Sequence, residues 1–185
     1  FCGPEQTELT CLTVRPEPNT PAGPDSLHAA YRTVRDQLVS RELVILQERV
    51  FGSLSAADRL RQIRRQILAE AGLDDGAPVT FIAGNPLWPG GLAGIQILAC
   101  PRAVAGQIKP VREGRVTFGR IWQRDHCDLV CLSDIRACSG GGPRSHQAAE
   151  MFERAEAILR ALGMSFRDVA RTWIYLCLLY TSPSP

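Results

Sequence analysis

The 185-residue sequence is poor in lysine and aromatic residues, and it lacks any long apolar run. Lys109 is the single lysine, and the arginines that supply the remaining basic residues are scattered over every segment. Nucleic-acid binding needs basic residues concentrated on one face, and a membrane span needs about 20 consecutive apolar residues. The sequence therefore predicts neither nucleic acid nor a membrane as a partner.

Paired cysteine spacing is also missing. The seven cysteines are an odd number and no signal-like segment precedes them, so we expect free thiols in a cytoplasmic protein rather than a disulfide framework. Cys127 and Cys131 lie four apart in a predicted strand, which separates their sulfur atoms by roughly 13 Å. That distance is too long for a shared tetrahedral site. We predict no metal, and no cofactor, because no phosphate-binding loop motif is found.

The apolar residues alternate between helical and strand periods, which predicts an α+β fold. Apolar stripes at helical spacing start after Asp25 or Ser26, after Ser53 or Ser55, and after Ser145; Gly72 and Gly163 end the second and third. Strands are predicted over 8–14, 42–51, 79–83, 92–99, 116–123, 128–135 and 170–176. We expect a tight hairpin to join 79–83 to 92–99. The arginines of the second helix (59, 61, 64 and 65) point in several directions, so we interpret them as solvated helix surface.

Proline and glycine divide the chain. They punctuate residues 101–114, which predicts a linker over 106–114 between a first module, 1–105, and part of a second, 115–176. The chain begins at Phe1 rather than methionine, and residues 177–185 resemble the translated tail of a sequencing adapter. We therefore expect a fragment with a non-native tail, in which the first module is nearly complete and the second is cut midway.

The second module resembles the RidA/YjgF family of imine deaminases. The resemblance rests on a helix that starts near Gln147 and ends in Ala-Leu-Gly-Met164, followed by Phe166-Arg-Asp-Val-Ala-Arg-Thr-Trp-Ile-Tyr-Leu176, and on a hairpin over 118–135. Residues 25–100 resemble a diverged copy. Tandem modules of this kind are similar to chorismatases. The resemblance implies the fold of AroH-type chorismate mutase, a small sheet backed by two helices, and trimers or pseudo-trimers with active sites in clefts between modules.

The resemblance also implies a reaction. Family deaminases hold the substrate carboxylate with an arginine early in the strand after the second helix, a bidentate role. Here that strand reads Pro78-Val-Thr-Phe-Ile82, without arginine. We expect a hydrolase of a small anionic metabolite, acting by imine or enamine deamination or by chorismatase-like hydrolysis; the alternative is a non-catalytic binding or regulatory protein. The endoribonuclease activity attached to the family by name is not expected, since no basic groove with interleaved aromatics is found.

Candidate ligand residues lie on the second module's strands. Arg120 and Trp122 alternate on one face, where an arginine beside an aromatic ring suits an anionic, planar ligand. The alternative is a half-exposed strand whose arginine covers the tryptophan. Ser133 and Asp134, near the end of the next strand, are candidates to line a cleft. The alternative is that they are polar only because the ends of strands are commonly polar. No catalytic residue is assigned, because the three histidines have no nucleophile at a suitable spacing.

Overall fold

The chain folds into helices and sheets in two compact units, residues 1–134 and 135–185. The computed structural model describes residues 9–16, 24–73, 76–84, 91–137 and 143–175. The α+β prediction is confirmed: among the described residues, the first unit holds two α-helices and two sheets, and the second holds one long α-helix. Within the described residues no helix is both long and apolar enough to cross a membrane.

The elements of the first unit follow the apolar periodicity closely. Short 3-10 turns, Leu54–Ala56 and Arg102–Gln107, come before the second helix and before the fifth strand. The regular elements, in chain order, are β1 (Thr10–Val14), α1 (Pro24–Ser40), β2 (Leu43–Gly52), α2 (Ala57–Glu70), β3 (Val79–Ala83), β4 (Leu92–Pro101), β5 (Ile108–Glu113), β6 (Val116–Trp122) and β7 (Leu129–Leu132).

The first sheet has the strand order β1-β4-β2-β3. Strand β4 pairs antiparallel with β1 and with β2, whereas β2 and β3 are parallel. The predicted hairpin between β3 and β4 is therefore wrong, because β2 lies between them. A parallel pair needs a crossover, and α2 supplies it from the end of β2 to the start of β3.

Helices α1 and α2 cover one face of this sheet. Alternate strand residues such as Leu12, Val50 and Ile95 are buried there, against Leu38 and Leu60 of the helices. The second helix also buries Arg64, which is 7% exposed, so its interpretation as solvated surface is wrong. Arg59, Arg61 and Arg65 are exposed as expected.

The second sheet has the order β5-β6-β7 and lies against the opposite face of the first. A β-bulge in β2 falls at Leu46, because Ile45 pairs with Ala99 and Gln47 pairs with Leu98. Leu46 contributes to a second apolar cluster with Cys100, Trp122 and Cys131. An extra residue in one strand shifts its side-chain alternation, so Ile45 and Glu48 both face the helices although they are three positions apart.

Residues 108–113, predicted as part of a linker, form strand β5. Ile108 pairs with Trp122 and Glu113 with Val116. Pro110 is exposed and lies on a strand at the edge of the sheet, where a missing N–H is tolerated. Proline and glycine therefore mark a strand edge and a turn here, and the boundary between compact units lies at 134/135 instead.

The second unit contains α3 (Arg144–Ala161) and a 3-10 turn over Phe166–Asp168. Ser165 and Asp168 form a capping box at the start of that turn. Residues 169–175 form no strand, so the prediction over 170–176 is wrong for its described part. A strand needs a hydrogen-bonded neighbour, and the described residues of this unit include no other strand.

Candidate functional site

The three residues predicted to contact a ligand share one face of the second sheet. Arg120 pairs with Cys131 and Trp122 with Leu129, while Ser133 N donates to the carbonyl oxygen of Phe118. This face is turned toward the first sheet, and it is closed: Arg120, Trp122 and Ser133 are 5%, 6% and 3% exposed. The strand is thus not half-exposed, and contact of these residues with a ligand stays a prediction.

Arg120 and Trp122 both have partners in the protein. Arg120 Nη1 donates to the carbonyl oxygen of Ile45, 2.5 Å away and beside the bulge in β2. Trp122 Nε1 donates to Gln107 Oε1 at 3.0 Å. The guanidinium over the indole ring belongs to Arg124, whose Cζ lies 5.2 Å from the ring centroid. These contacts connect the two sheets and cover the indole.

A group of polar residues gathers where β2, β3 and the end of β7 meet. Gln47 Nε2 donates to the carbonyl oxygen of Leu132 at 2.8 Å, and Arg49 Nη2 donates to Gln47 Oε1 at 2.9 Å. Arg49 pairs in register with Thr80, whose Oγ1 accepts a 2.9 Å hydrogen bond from the backbone N–H of Asp134. We call the following five residues the polar cluster: Gln47, Arg49, Thr80, Ser133 and Asp134.

Ser133 brings an unsatisfied hydroxyl to this cluster. Its Oγ is buried and has no hydrogen-bond partner among the described residues. Burying a hydroxyl without a partner costs about 1–3 kcal/mol, and such a group in a folded protein calls for an explanation. A bound water or a ligand atom that reached this buried hydroxyl would satisfy its hydrogen-bonding capacity.

Asp134 adopts a left-handed backbone conformation, with φ at 55°. Few residues other than glycine do so, although aspartate and asparagine tolerate it best. The conformation turns the chain directly after β7, and the hydrogen bond from its N–H to Thr80 holds it there. Strained backbone of this kind is often found at functional sites.

The neighbouring thiols are poor nucleophiles. Burial raises the pKa of the Cys131 thiol to about 11, although the nearby Arg49 charge lowers it in part. Burial likewise raises the pKa of Cys100 to about 11, with Arg120 acting in the opposite direction. Both thiols are therefore protonated at neutral pH, and the cluster is better suited to binding an anion by donors than to thiol chemistry.

Sequence reasoning identified Ser133 and Asp134 but missed Gln47, Arg49 and Thr80. A signal was present: Gln47-Glu48-Arg49 interrupts an otherwise apolar strand. The register that puts Arg49 beside Thr80 depends on the parallel pairing of β2 with β3, which periodicity does not reveal. Among the described residues, no group of three or more histidine, cysteine, aspartate or glutamate side chains is placed to hold a metal ion.

Comparison with the models of known protein families gives no match, and comparison with the curated proteins gives none either.

Proposed function

We propose that the first unit binds a small anionic metabolite at the polar cluster and that the protein is a RidA-like hydrolase. The observation that carries the proposal is the register pair Arg49–Thr80 together with the unsatisfied hydroxyl of Ser133, the residue before the one whose N–H donates to Thr80. Thr80 lies on the strand where the family's deaminases carry their carboxylate-binding arginine. On the adjacent strand, Arg49 offers a guanidinium at the same level of the sheet, suited to a carboxylate.

The RidA-like architecture itself is part of this proposal. A four-stranded sheet backed by two helices agrees with what the sequence resemblance implies for one module. The order of elements from β5 to α3 agrees with what the sequence resemblance implies for the front of a second module. Assembly as a trimer or pseudo-trimer and a cytoplasmic location belong to the same proposal.

In this reaction the substrate is an imine of a 2-oxo acid. Arg49 holds the carboxylate, and the Ser133 hydroxyl hydrogen-bonds the reacting group. Water adds to the C=N carbon while Asp134 accepts the proton that the water loses and returns it to the nitrogen, which gives a carbinolamine. The carbinolamine hydroxyl then loses its proton to the nitrogen through Asp134 as the C–N bond breaks, which releases ammonia and a 2-oxo acid and leaves Asp134 ionised again. Few catalytic side chains are required, because positioning and polarisation of the imine do most of the work. The chorismatase-like variant would hydrolyse an enol ether at the same place.

A non-catalytic binding role is the second candidate. The absence of arginine from the strand that carries Thr80 favours this role, because a module without the family's arginine is expected to have lost the deaminase reaction. Both candidates require anion binding at the polar cluster, and they differ only in turnover.

Two measurements separate the candidates. Imino acids are formed in situ by an amino-acid oxidase, and their hydrolysis is followed as accelerated release of ammonia; chorismate is assayed in parallel. Binding of a stable 2-oxo acid is measured by calorimetry. Arg49→Gln should weaken binding about 10-fold or more, whereas Arg112→Gln, an exposed arginine of β5, should leave it unchanged.

Ser133→Ala and Asp134→Asn sharpen the test. Ser133→Ala should weaken binding without lowering stability, since the hydroxyl makes no hydrogen bond to the described residues. Asp134→Asn keeps a residue that tolerates φ of 55° and should abolish turnover while binding remains. Binding without turnover in the parent protein favours the non-catalytic role. Absence of binding, or binding that is indifferent to Arg49→Gln, would overturn the proposal.

A further inference from the structure

A concave site lies at the other end of β2, away from the polar cluster. It is a groove of about 460 Å³ where β2 begins and β4 ends. Arg41 and Glu42 line it on one side and Arg102 on the other, with Leu43 and Pro101 between them. A volume of this size falls within the range of pockets that hold small organic ligands.

Backbone pairing holds the walls of the groove in place. Leu43 pairs in register with Pro101, so the residues just before β2 and just after β4 face each other. The N–H of Arg102 donates to the carbonyl oxygen of Glu42 at 2.6 Å, and Glu42 has a left-handed φ of 51°. Both arginines therefore extend from backbone that is fixed relative to the sheet.

Among the described residues, the lining of the groove carries two positive charges and one negative charge. The side chains of Arg41 and Arg102 are exposed and make no hydrogen bond or ion pair with any other described residue. Of the described residues in the lining, Glu42 is the one that is negatively charged. Two guanidinium groups beside the apolar surface of Leu43 and Pro101 match a molecule with an oxyanion at one end and a short apolar body.

We propose that this groove is a second binding site, for a small organic anion that carries a carboxylate or a phosphate group. It is separate from the polar cluster: Leu43 and Arg49 are six residues apart along β2, or roughly 20 Å at the rise of a strand. The inference does not rest on the proposed function, and a ligand here does not compete with one at Arg49.

The test is a titration of the ¹⁵N-labelled protein, at constant ionic strength, with inorganic phosphate in one arm and malonate in the other. Saturable shifts are expected at the amides of Leu43 and Arg102. The stronger arm shows whether phosphate or carboxylate is preferred. Arg41→Gln and Arg102→Gln should each weaken binding about 10-fold, and Arg112→Gln is the matched control because it changes the net charge equally.

Glu42→Gln tests the sign of the ligand charge. Removing the negative charge from the lining should tighten anion binding about 2- to 5-fold. Weaker binding in this variant would mean that the ligand presents a cation to Glu42, which would overturn the anion assignment. Absence of saturable shifts at Leu43 and Arg102, or equal losses with Arg112→Gln, would also overturn it. Shifts confined to Arg49, Thr80 and Asp134 would support the proposed function and exclude this second site.

Discussion

Arg64 Nε lies 2.7 Å from Glu48 Oε2, and the pair is enclosed between the helices and the first sheet. The other carboxylate oxygen accepts a hydrogen bond from the Tyr31 hydroxyl at 3.0 Å. Arg64 Nη2 also contacts the carbonyl oxygen of Ala77 at 3.4 Å. A buried carboxylate is tolerated only when it is paired and hydrogen-bonded, and both oxygen atoms of Glu48 meet that condition.

Removing one member of this pair should be strongly destabilising. Arg64→Met keeps the apolar stem but leaves Glu48 as a buried charge without its ion partner, which typically costs about 3–5 kcal/mol. Urea unfolding followed by circular dichroism measures the loss. Arg65→Met, one position along the same helix and exposed, should change stability by less than about 0.5 kcal/mol. Equal small effects of the two variants would show that Glu48 finds another partner or is neutral.

Stability should fall at alkaline pH. Burial raises the pKa of Tyr31 well above its ordinary value of 10.0, and the pKa values of Cys100 and Cys131 rise from 9.0 to about 11. A raised pKa in the folded state means that the unfolded chain releases its proton at a lower pH than the folded chain does. The contribution of the two thiols to the free energy of unfolding is therefore complete below pH 9 and is lost between pH 9 and about 11. The Tyr31 contribution begins to fall above pH 10.

Single substitutions show which titrating groups cause the loss of stability at alkaline pH. The decline of unfolding free energy between pH 9 and 11 should be shallower in Cys131→Ala, because that variant removes one of the two titrating thiols. Cys11→Ala, an exposed thiol, is the control and should leave the slope of the parent protein unchanged. A parent protein whose stability is constant up to pH 11 would contradict the prediction.

Arg120 should act as a connection between the sheets. Arg120→Met should lower stability by about 1–3 kcal/mol, because it removes a donor to the buried carbonyl oxygen of Ile45. Lys109→Met on the neighbouring strand, exposed, is a control with a similar loss of charge. Thermal and urea unfolding provide the measurement. An Arg120→Met protein of normal stability with impaired 2-oxo acid binding would instead support the ligand-contact role.

Gly119 should not accept a side chain. A Cβ at this position would lie 2.3 Å from the carbonyl oxygen of Cys131, which is backbone and has little freedom to move. Gly119→Ala should therefore cost about 1–3 kcal/mol or more through displacement of β7. Gly106→Ala, where nothing lies within 4 Å, should be close to neutral. A fully stable Gly119→Ala protein would mean that β6 and β7 separate easily.

Much of the fold could be predicted from periodicity, because both helices of the first unit bury one stripe and most of its strands bury one face. The arrangement of strands was not: nothing local distinguishes a β3 that pairs with β4 from one that pairs with β2. The burial of Arg64 was hidden for a related reason, since its partner Glu48 lies 16 positions earlier and on another element. Proline and glycine over 106–114 predicted a linker. An edge strand tolerates the same residues, so composition alone does not distinguish the two.

The candidate site was only partly predictable. Alternation correctly put Arg120 and Trp122 on one face of a strand, and Ser133 joins them there through the pairing of β6 with β7. What covers that face depends on a contact between two sheets, which no local pattern encodes. Arg49 was missed as a candidate site residue because only the pairing of β2 with β3 puts it beside Thr80, which in turn accepts a hydrogen bond from Asp134.

The order β1-β4-β2-β3 has a consequence for the chain during its synthesis. Strand β4, one of the two central strands of the sheet, is the last of the four to leave the ribosome, and its final residue is Pro101. At about 5–20 residues per second, β1 waits for several seconds before its partner exists. The apolar residues of α1 and α2 have no complete sheet to cover in that interval. A nascent chain that ends before β4 is complete is therefore expected to depend on chaperones.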